Sequence, residues 1–118
     1  MPSPTQVLDV LKQARSLIAA GHCTETYARD RAGRRVQNWS DKAVSFCALG
    51  ALLRASSTEV PIEDRWHTYD EAHLALDNVV AERYPELVLT DVNDKLGQQP
   101  TLDVYDEAIK RVTNGITY

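Results

Sequence analysis

The sequence predicts an all-α fold, a compact bundle of about five helices around a buried central helix at residues 41–55. Apolar side chains recur every three or four residues along several stretches of the 118-residue chain, which is the helical period. Residue types that cap helices stand before most of these stretches. Residues 22–39 lack the helical period, and there we expect an excursion that is either an irregular loop or a small β-hairpin.

The first helix has both a start signal and a stop signal. Ser3 suits the N-cap, Pro4 suits the first helical position, and Gln6 completes a capping box. Gly21 stands where a C-terminal cap is expected. The apolar stripe between these ends consists of Val7, Leu8, Leu11, Ala14, Leu17 and Ile18.

The predicted central helix begins after Ser40, a capping residue, and is apolar on nearly all sides. It carries a stripe of small residues, namely Ala43, Cys47, Gly50 and Ala51. Because glycine inside a helix costs about 1 kcal/mol relative to alanine, Gly50 indicates that another helix, or a ligand, comes close there. With Ser40 as the cap, Cys47 would lie about two turns inside the helix, where we expect a buried core thiol.

Three further helices are expected after the central one. Thr68 forms a capping box with Glu71 and begins a helix that ends near Pro85. A shorter helix is expected over 85–96, and Thr101 caps the last helix.

The composition is that of a single globular domain spanning residues 1–118. Hydrophobic residues make up 43% of the chain and charged residues 25%, which are ordinary proportions. No apolar run approaches the roughly 18 residues of a membrane span, and no secretory signal is visible, so we expect a cytoplasmic protein without membrane contact. Cys23 and Cys47 are too few for a disulfide scaffold. We expect reduced thiols, and the sequence leaves a single bridge between them open.

The charges divide unevenly along the chain. Residues 1–56 hold eight Lys or Arg against four Asp or Glu, whereas residues 57–118 hold five against thirteen. The net charge of −4 argues against general affinity for nucleic acid, which depends on neutralising phosphates. It leaves room for a local anion site in the first half.

The strongest functional signal is a group of arginines between two aromatic residues. The group comprises Tyr27, Arg29, Arg31, Arg34, Arg35 and Trp39. Arginine forms bidentate hydrogen bonds with phosphate or carboxylate, and arginine and aromatic side chains dominate interaction hot spots. We therefore expect a non-enzymatic binding protein that recognises a small anionic ligand or an acidic surface of a protein partner. The structural alternative is a solvated hairpin tip that pairs with the acidic second half of the chain.

Two other functions stay open. In the first, a small hydrolase or transferase uses Cys47 as its nucleophile and His73 as its base. Asn93 or Asp94 would then orient the base, whereas in the structural alternative one of the pair holds the following link by hydrogen bonds. In the second, the protein is a scaffold or assembly subunit that forms homo-oligomers through its oppositely charged halves. The histidines lack metal-ligand spacing and glycine-rich nucleotide motifs do not occur, so we expect no metal and no cofactor.

Several positions together resemble one protein family. They are Trp39, the run 43–52 with its aromatic-Cys-x-x-Gly-Ala-Leu pattern, the pair Asn93-Asp94, and Thr101, Val104 and Ala108. Over about residues 10–112 the chain resembles a family of small uncharacterised bacterial and phage proteins, a domain of unknown function. The resemblance implies one structural unit that contains Trp39, Cys47, Gly50, Asn93 and Asp94, and it carries over no catalytic role. Through its phage members it also implies a further version of the binding hypothesis, an inhibitor of bacterial defence or a binder of a signalling nucleotide.

Overall fold

A computed structural model describes residues 3–115 and confirms a mostly helical fold with a small antiparallel sheet. In chain order the elements are α1 (Pro4–Ala20), β1 (Ala28–Arg29), β2 (Arg35–Val36), β3 (Ser45–Phe46), α2 (Ala48–Glu59), α3 (Arg65–Arg83), α4 (Leu89–Asp91), a π-helical turn (Val92–Leu96) and α5 (Gln98–Thr113). In the part of the chain that is described, no helix is long and apolar enough to cross a membrane.

Helix α1 begins and ends where the sequence predicts. The Ser3 hydroxyl accepts a hydrogen bond from the Gln6 backbone N–H at 3.1 Å, and the Ser3 N–H donates to Gln6 Oε1 at 2.9 Å, which completes the capping box. Gly21 is the C-cap and has extended backbone geometry. A Cβ on Gly21 would collide with the carbonyl oxygen of Val44, so this glycine lets residues 44–46 pass close to the end of α1.

The core lies between α1 and the other long helices. Helix α1 packs against α2, α3 and α5, and α3 also packs against α2 and α5. Tyr105 on α5 is the largest fully buried side chain, and its hydroxyl donates to the carbonyl oxygen of Ala48 at 2.7 Å. Because a buried hydroxyl without a partner costs free energy, this bond favours one position of α5 against the first turn of α2. Fully buried aliphatic residues around it include Val7, Leu11, Ile18, Leu52, Leu76, Val79 and Val104.

Residues 22–39 contain a small β-hairpin, which decides between the two predicted alternatives. Strand β1 lies between β2 and β3 and is antiparallel to both. Residues directly opposite each other on neighbouring strands share a face of the sheet. The inner face consists of Ala28, Val36 and Phe46, and the outer face consists of Arg29, Arg35 and Ser45. The hairpin therefore packs on the helices through its apolar face and carries both strand arginines on the other.

Helix α2 begins at Ala48, so the predicted start of the central helix at residue 41 is wrong. Ser40 is not its cap. Cys47 is the N-cap itself, with extended backbone geometry, and does not lie two turns inside the helix. The thiol therefore stands at the end of α2 where backbone N–H groups are free of intrahelical partners.

Strand pairing explains the late start of α2. The Val44 N–H donates to the carbonyl of Arg29 at 2.9 Å, and the Cys47 N–H donates to the carbonyl of Tyr27 at 3.2 Å. Extended backbone at 44–47 thus satisfies its polar groups against β1 and needs no helical partners. A short apolar run does not by itself distinguish a buried strand from a buried helix.

Other helix boundaries also differ from the predicted ones. Helix α3 begins at Arg65, one turn before the predicted cap Thr68, and α5 begins at Gln98, one turn before the predicted cap Thr101. Each threonine hydroxyl donates instead to the carbonyl four residues before it. The helix predicted over 85–96 is replaced by the short α4 and the π-helical turn.

Gly50 lies where α2 meets the hairpin rather than where two helices cross. A Cβ on Gly50 would collide with the carbonyl oxygen of Tyr27, the same oxygen that accepts the hydrogen bond from Cys47. The close approach that the glycine indicates is thus made by the backbone of the chain itself. The predicted small-residue stripe also loses Ala43, which precedes α2.

We expect the Gly50→Ala variant to have a free energy of unfolding about 1–3 kcal/mol lower than the wild type, because backbone must move to admit the methyl group. Ser57→Ala, on the exposed side of the same helix, should change it by no more than about 0.5 kcal/mol. Urea unfolding followed by circular dichroism measures both values. Equal stability of Gly50→Ala and wild type would contradict the close packing of α2 on Tyr27.

Candidate functional site

The side chain of Asn93 connects three segments of the chain. Its Oδ1 accepts hydrogen bonds from the backbone N–H of Ala48 at 2.9 Å and from Nε2 of His22 at 3.0 Å. Its Nδ2 donates to the carbonyl oxygen of Cys23 at 3.1 Å and to Oδ1 of Asp94 at 2.8 Å. Asn93 has no exposed surface, and these bonds use the full capacity of its amide. Because an amide oxygen only accepts, His22 carries a proton on Nε2.

Asn93 and Asp94 belong to the π-helical turn, in which the Gly97 N–H donates to the carbonyl of Val92 at 3.1 Å. Turns of this kind are rare and occur frequently at functional sites. Asn93 bonds to His22, Cys23 and the start of α2, and Asp94 accepts from the Glu25 N–H. The predicted structural role, hydrogen bonds to the link that follows the pair, is therefore corrected: the bonds hold residues 22–25 and α2 instead.

A cavity of about 350 Å³ lies beside Asn93 at the start of α2. Its lining consists of Glu25, Thr26, Tyr27, Cys47, Ala48, Leu49, Thr90, Asn93 and Asp94. Glu25 has a left-handed backbone with φ of 66°, which residues other than glycine rarely adopt. Its N–H donates to Asp94 Oδ1 at 3.1 Å, and this bond helps to hold the strained conformation. Carboxylate and hydroxyl groups thus face a small space that also has apolar walls.

The surroundings of Cys47 beside the cavity affect the ionisation of its thiol. Its sulfur accepts a hydrogen bond from the backbone N–H of Gly50 at 3.3 Å. The residue is 7% exposed, and burial raises the pKa of its thiol, against the opposing effect of the Gly50 and Leu49 N–H groups. The thiol is therefore protonated at neutral pH, so only a small fraction of it is present as the nucleophilic thiolate. Within residues 3–115, no three His, Cys, Asp or Glu side chains are grouped as metal ligands.

The cavity brings together three of the four residues of the catalytic alternative, namely Cys47, Asn93 and Asp94. His73 is not among the lining residues, and its Nε2 lies 3.4 Å from Oδ1 of Asp77 on α3. The histidine that reaches the Asn93 network is His22. No sequence pattern links His22 to Asn93, because 71 positions separate them along the chain.

Two arginines of the predicted binding cluster hold the hairpin together. Arg29 donates from Nη1 to the carbonyl of Gly33 at 3.0 Å and from Nη2 to the carbonyl of Thr24 at 3.2 Å. Arg34 Nε donates to Asp30 Oδ2 at 3.2 Å. Asp30 Oδ1 also accepts from the Arg34 backbone N–H at 2.8 Å, and this bond is the largest of the effects that lower the pKa of the Asp30 carboxyl. These two guanidinium groups therefore stabilise the turn.

The other cations of this region are exposed. Arg31, Arg35 and Lys42 make no ion pair in the part of the chain that the structure describes. An open groove of about 570 Å³ separates the hairpin turn from residues 41–44. Its lining consists of Asp30, Arg31, Ala32, Arg34, Asp41, Lys42 and Val44.

Trp39 is 71% exposed, but its backbone is fixed from behind. Arg54 Nη1 donates to the carbonyl of Asn38 at 2.8 Å and to that of Ser40 at 2.9 Å, on either side of the tryptophan. Tyr27, the other aromatic residue of the predicted cluster, lines the cavity and is 49% exposed. We use the name hairpin surface for the exposed set Arg31, Arg35, Trp39 and Lys42.

The acidic second half of the chain pairs with cations other than those of the hairpin. Asp106 contacts Arg15 at 2.7 Å, and Glu107 contacts Arg111 at 3.0 Å and Arg83 at 3.6 Å. Within residues 3–115, no ion pair joins a hairpin arginine to a carboxylate of the second half. The pairing expected in the structural alternative is therefore not formed among the described residues, although the arginines near the hairpin turn are solvent-exposed as that alternative expects.

We expect Asn93→Ala to lower the free energy of unfolding by about 2–4 kcal/mol, because the Ala48 N–H and the Cys23 carbonyl lose their buried partner. Asn114→Ala, at an exposed position after α5, should cost no more than about 0.5 kcal/mol. Guanidinium unfolding of the two variants compares them directly. A near-neutral Asn93→Ala would mean that water or backbone rearrangement replaces the amide.

Alkaline pH is expected to destabilise the fold. Burial raises the pKa of Tyr69 to about 12, and it also raises the pKa of the thiol of Cys47 and of the Tyr105 hydroxyl. Above about pH 9 the unfolded chain releases these protons while the folded chain keeps them, so the free energy of unfolding falls as pH rises, by at most about 1.4 kcal/mol per pH unit and group. Unfolding measured from pH 8 to 11 should show a steeper fall for the wild type than for Tyr69→Phe. Identical slopes would contradict the burial of this hydroxyl.

Comparison with known proteins places the chain in one family. A family model, described as a family of unknown function (DUF6197), matches residues 2–111. No curated protein and no solved structure matches the chain. Because the family model covers nearly the whole sequence, the predicted resemblance to a family of unknown function is confirmed, and the chain belongs to this family.

Proposed function

We propose that this protein is a non-enzymatic binding protein whose hairpin surface holds an acidic segment of a protein partner. The observation that carries the proposal is that the cations of the hairpin surface are exposed and, among the described residues, unpaired. Arg31, Arg35 and Lys42 are exposed and have no carboxylate partner within residues 3–115, although the second half of the chain is rich in carboxylates. A free guanidinium keeps its capacity for bidentate bonds to a carboxylate.

The shape of the region favours an extended acidic segment over a small enclosed anion. The groove of about 570 Å³ is open and runs between two loops, so that it does not enclose a ligand. Trp39 adds an exposed aromatic side chain on a backbone that Arg54 fixes. Tryptophan and arginine are residue types that interaction hot spots use, and a backbone fixed in advance reduces the conformational entropy lost on binding.

The cavity at the start of α2 supports the catalytic alternative less well. Its thiol is protonated at neutral pH, and the neighbouring imidazole of His22 bonds to Asn93. A catalytic thiol needs an adjacent base or a lowered pKa to attack its substrate rapidly at neutral pH. We therefore assign the binding role to the hairpin surface.

The test uses a fluorescein-labelled peptide of about ten glutamates as the probe for acidic segments. We expect the double variant Arg31→Glu/Arg35→Glu to bind it at least about tenfold more weakly than the wild type, which corresponds to about 1.4 kcal/mol. The matched control Lys12→Glu/Lys110→Glu changes the net charge equally, at exposed positions on α1 and α5, and should alter binding less than about twofold. Fluorescence anisotropy at low and at physiological salt gives the dissociation constants.

Equal weakening by the two double variants would overturn the proposal, because only net charge would then matter. Competition by millimolar inorganic phosphate would shift the assignment to a small anion. Trp66→Phe leaves Trp39 as the sole tryptophan, so a blue shift of its emission on binding reports contact at the hairpin surface itself.

A further inference from the structure

The two cysteines lie side by side at the place where the chain enters and leaves the hairpin region. The Phe46 N–H donates to the carbonyl of Gly21 at 2.9 Å, and the Cys23 N–H donates to the carbonyl of Phe46 at 3.2 Å. His22 and Phe46 thereby form a parallel bridge. Cys23 and Cys47 are the next residue on each side of this bridge.

The parallel register places the two cysteines at equal positions on neighbouring extended segments. Neighbouring strands lie about 4.7–4.9 Å apart, and residues at equal positions in a parallel pair share a face. This separation falls inside the range of about 4.4–6.8 Å between Cα atoms that disulfides span. A charge on Cys23 also contributes to raising the pKa of Cys47, as expected for two thiols that lie close together. Both are reduced in this structure.

We propose that Cys23 and Cys47 form an oxidisable dithiol site, which a small peroxide converts into an intramolecular disulfide. Both residues are 7% exposed, but Cys47 lines the cavity of about 350 Å³ and Cys23 is not among the lining residues. A peroxide that enters the cavity therefore meets the sulfur of Cys47 first. Cys23 is the resolving thiol.

The reaction balances with the peroxide as the only oxidant. The Cys47 thiolate attacks one peroxide oxygen and forms an S–O bond, the O–O bond breaks, and the second oxygen leaves as an alcohol or as water with the proton that the thiol released. The Cys23 sulfur then attacks the Cys47 sulfenic acid, the S–O bond breaks, and the hydroxyl leaves as water with the Cys23 proton. Two thiols lose two electrons in total, and the peroxide gains them. Since thiolate is the reactive form and burial raises the pKa of both thiols, the rate rises with pH.

The disulfide would close a loop over residues 24–46, which carries the whole hairpin and Trp39. It would also convert the sulfur that caps α2 from a thiol to one half of a disulfide. In the reduced protein this Cys47 sulfur accepts a hydrogen bond from the Gly50 N–H. The inference does not rest on the proposed binding function, because its test measures only the state of the two sulfurs.

The experiment treats the reduced, full-length chain with excess hydrogen peroxide at pH 7.5 and 8.5, and blocks remaining thiols with a maleimide under denaturing conditions. We expect a monomer whose mass has fallen by two hydrogen atoms and which takes up no maleimide. Proteolysis should yield two fragments joined through Cys23 and Cys47. The oxidised protein should melt at a higher temperature than the reduced one, and dithiothreitol should abolish the difference. Formation should be faster at pH 8.5. Two maleimides per oxidised native chain, a disulfide that forms only in urea, or predominantly intermolecular dimers would overturn the proposal.

Two single variants separate the roles of the thiols. Cys23→Ser should leave Cys47 as a sulfenic acid that dimedone traps. Cys47→Ser keeps an oxygen that can cap α2 and should take up at least about fivefold less dimedone, because Cys23 does not line the cavity. Equal dimedone uptake by the two variants would overturn the assignment of Cys47 as the first thiol to react.

Discussion

The amide of Asn93 is the interaction on which the arrangement of the hairpin and α2 depends. It joins the segment after α1, the first N–H of α2 and the π-helical turn in one buried network. Each of these backbone groups belongs to a segment end, where regular secondary structure leaves polar atoms without partners. One side chain satisfies several of them at once, so the three segments have a single favourable position relative to one another. The cavity, its strained Glu25 and the cap of α2 all follow from that position.

The elements that the sequence predicts well are those with one exposed face. Helix α1 is half buried along its length, so its apolar residues repeat with the helical period, and its ends carry Ser3 and Gly21, whose roles as caps are local. Helix α2 also buries one face at the helical period, with Ala48, Ala51 and Ala55, but an apolar strand directly precedes it. The run 41–55 is apolar whether its first part is strand or helix, and the deciding hydrogen bonds come from β1. Local pattern cannot report a partner that lies elsewhere in the chain.

The same limit applies to the candidate sites. The arginine cluster is contiguous in sequence, and the sequence shows it. The sequence does not show which of these arginines are available for a ligand. Arg29 and Arg34 bind backbone and side-chain oxygens of the turn, whereas Arg31 and Arg35 do not. The contact between His22 and Asn93 spans 71 positions and has no local signature. Gly50 does carry a signal, a glycine inside a predicted helix, but it does not say that backbone rather than a helix fills the space.

Residues 24–46, which contain the hairpin, form one loop whose two ends meet. The loop begins after Cys23 and ends before Cys47, and the parallel bridge between His22 and Phe46 joins its ends, while Ala28 and Phe46 bury part of it in the core. The cost of closing a loop grows only slowly with its length, so the contacts at its ends decide how firmly it is held. Those contacts involve the cavity, since Tyr27 and Cys47 line it. A molecule that fills the cavity, or a reaction that modifies the Cys47 sulfur, therefore acts at the base of the hairpin. The exposed cations and Trp39 lie along the same loop.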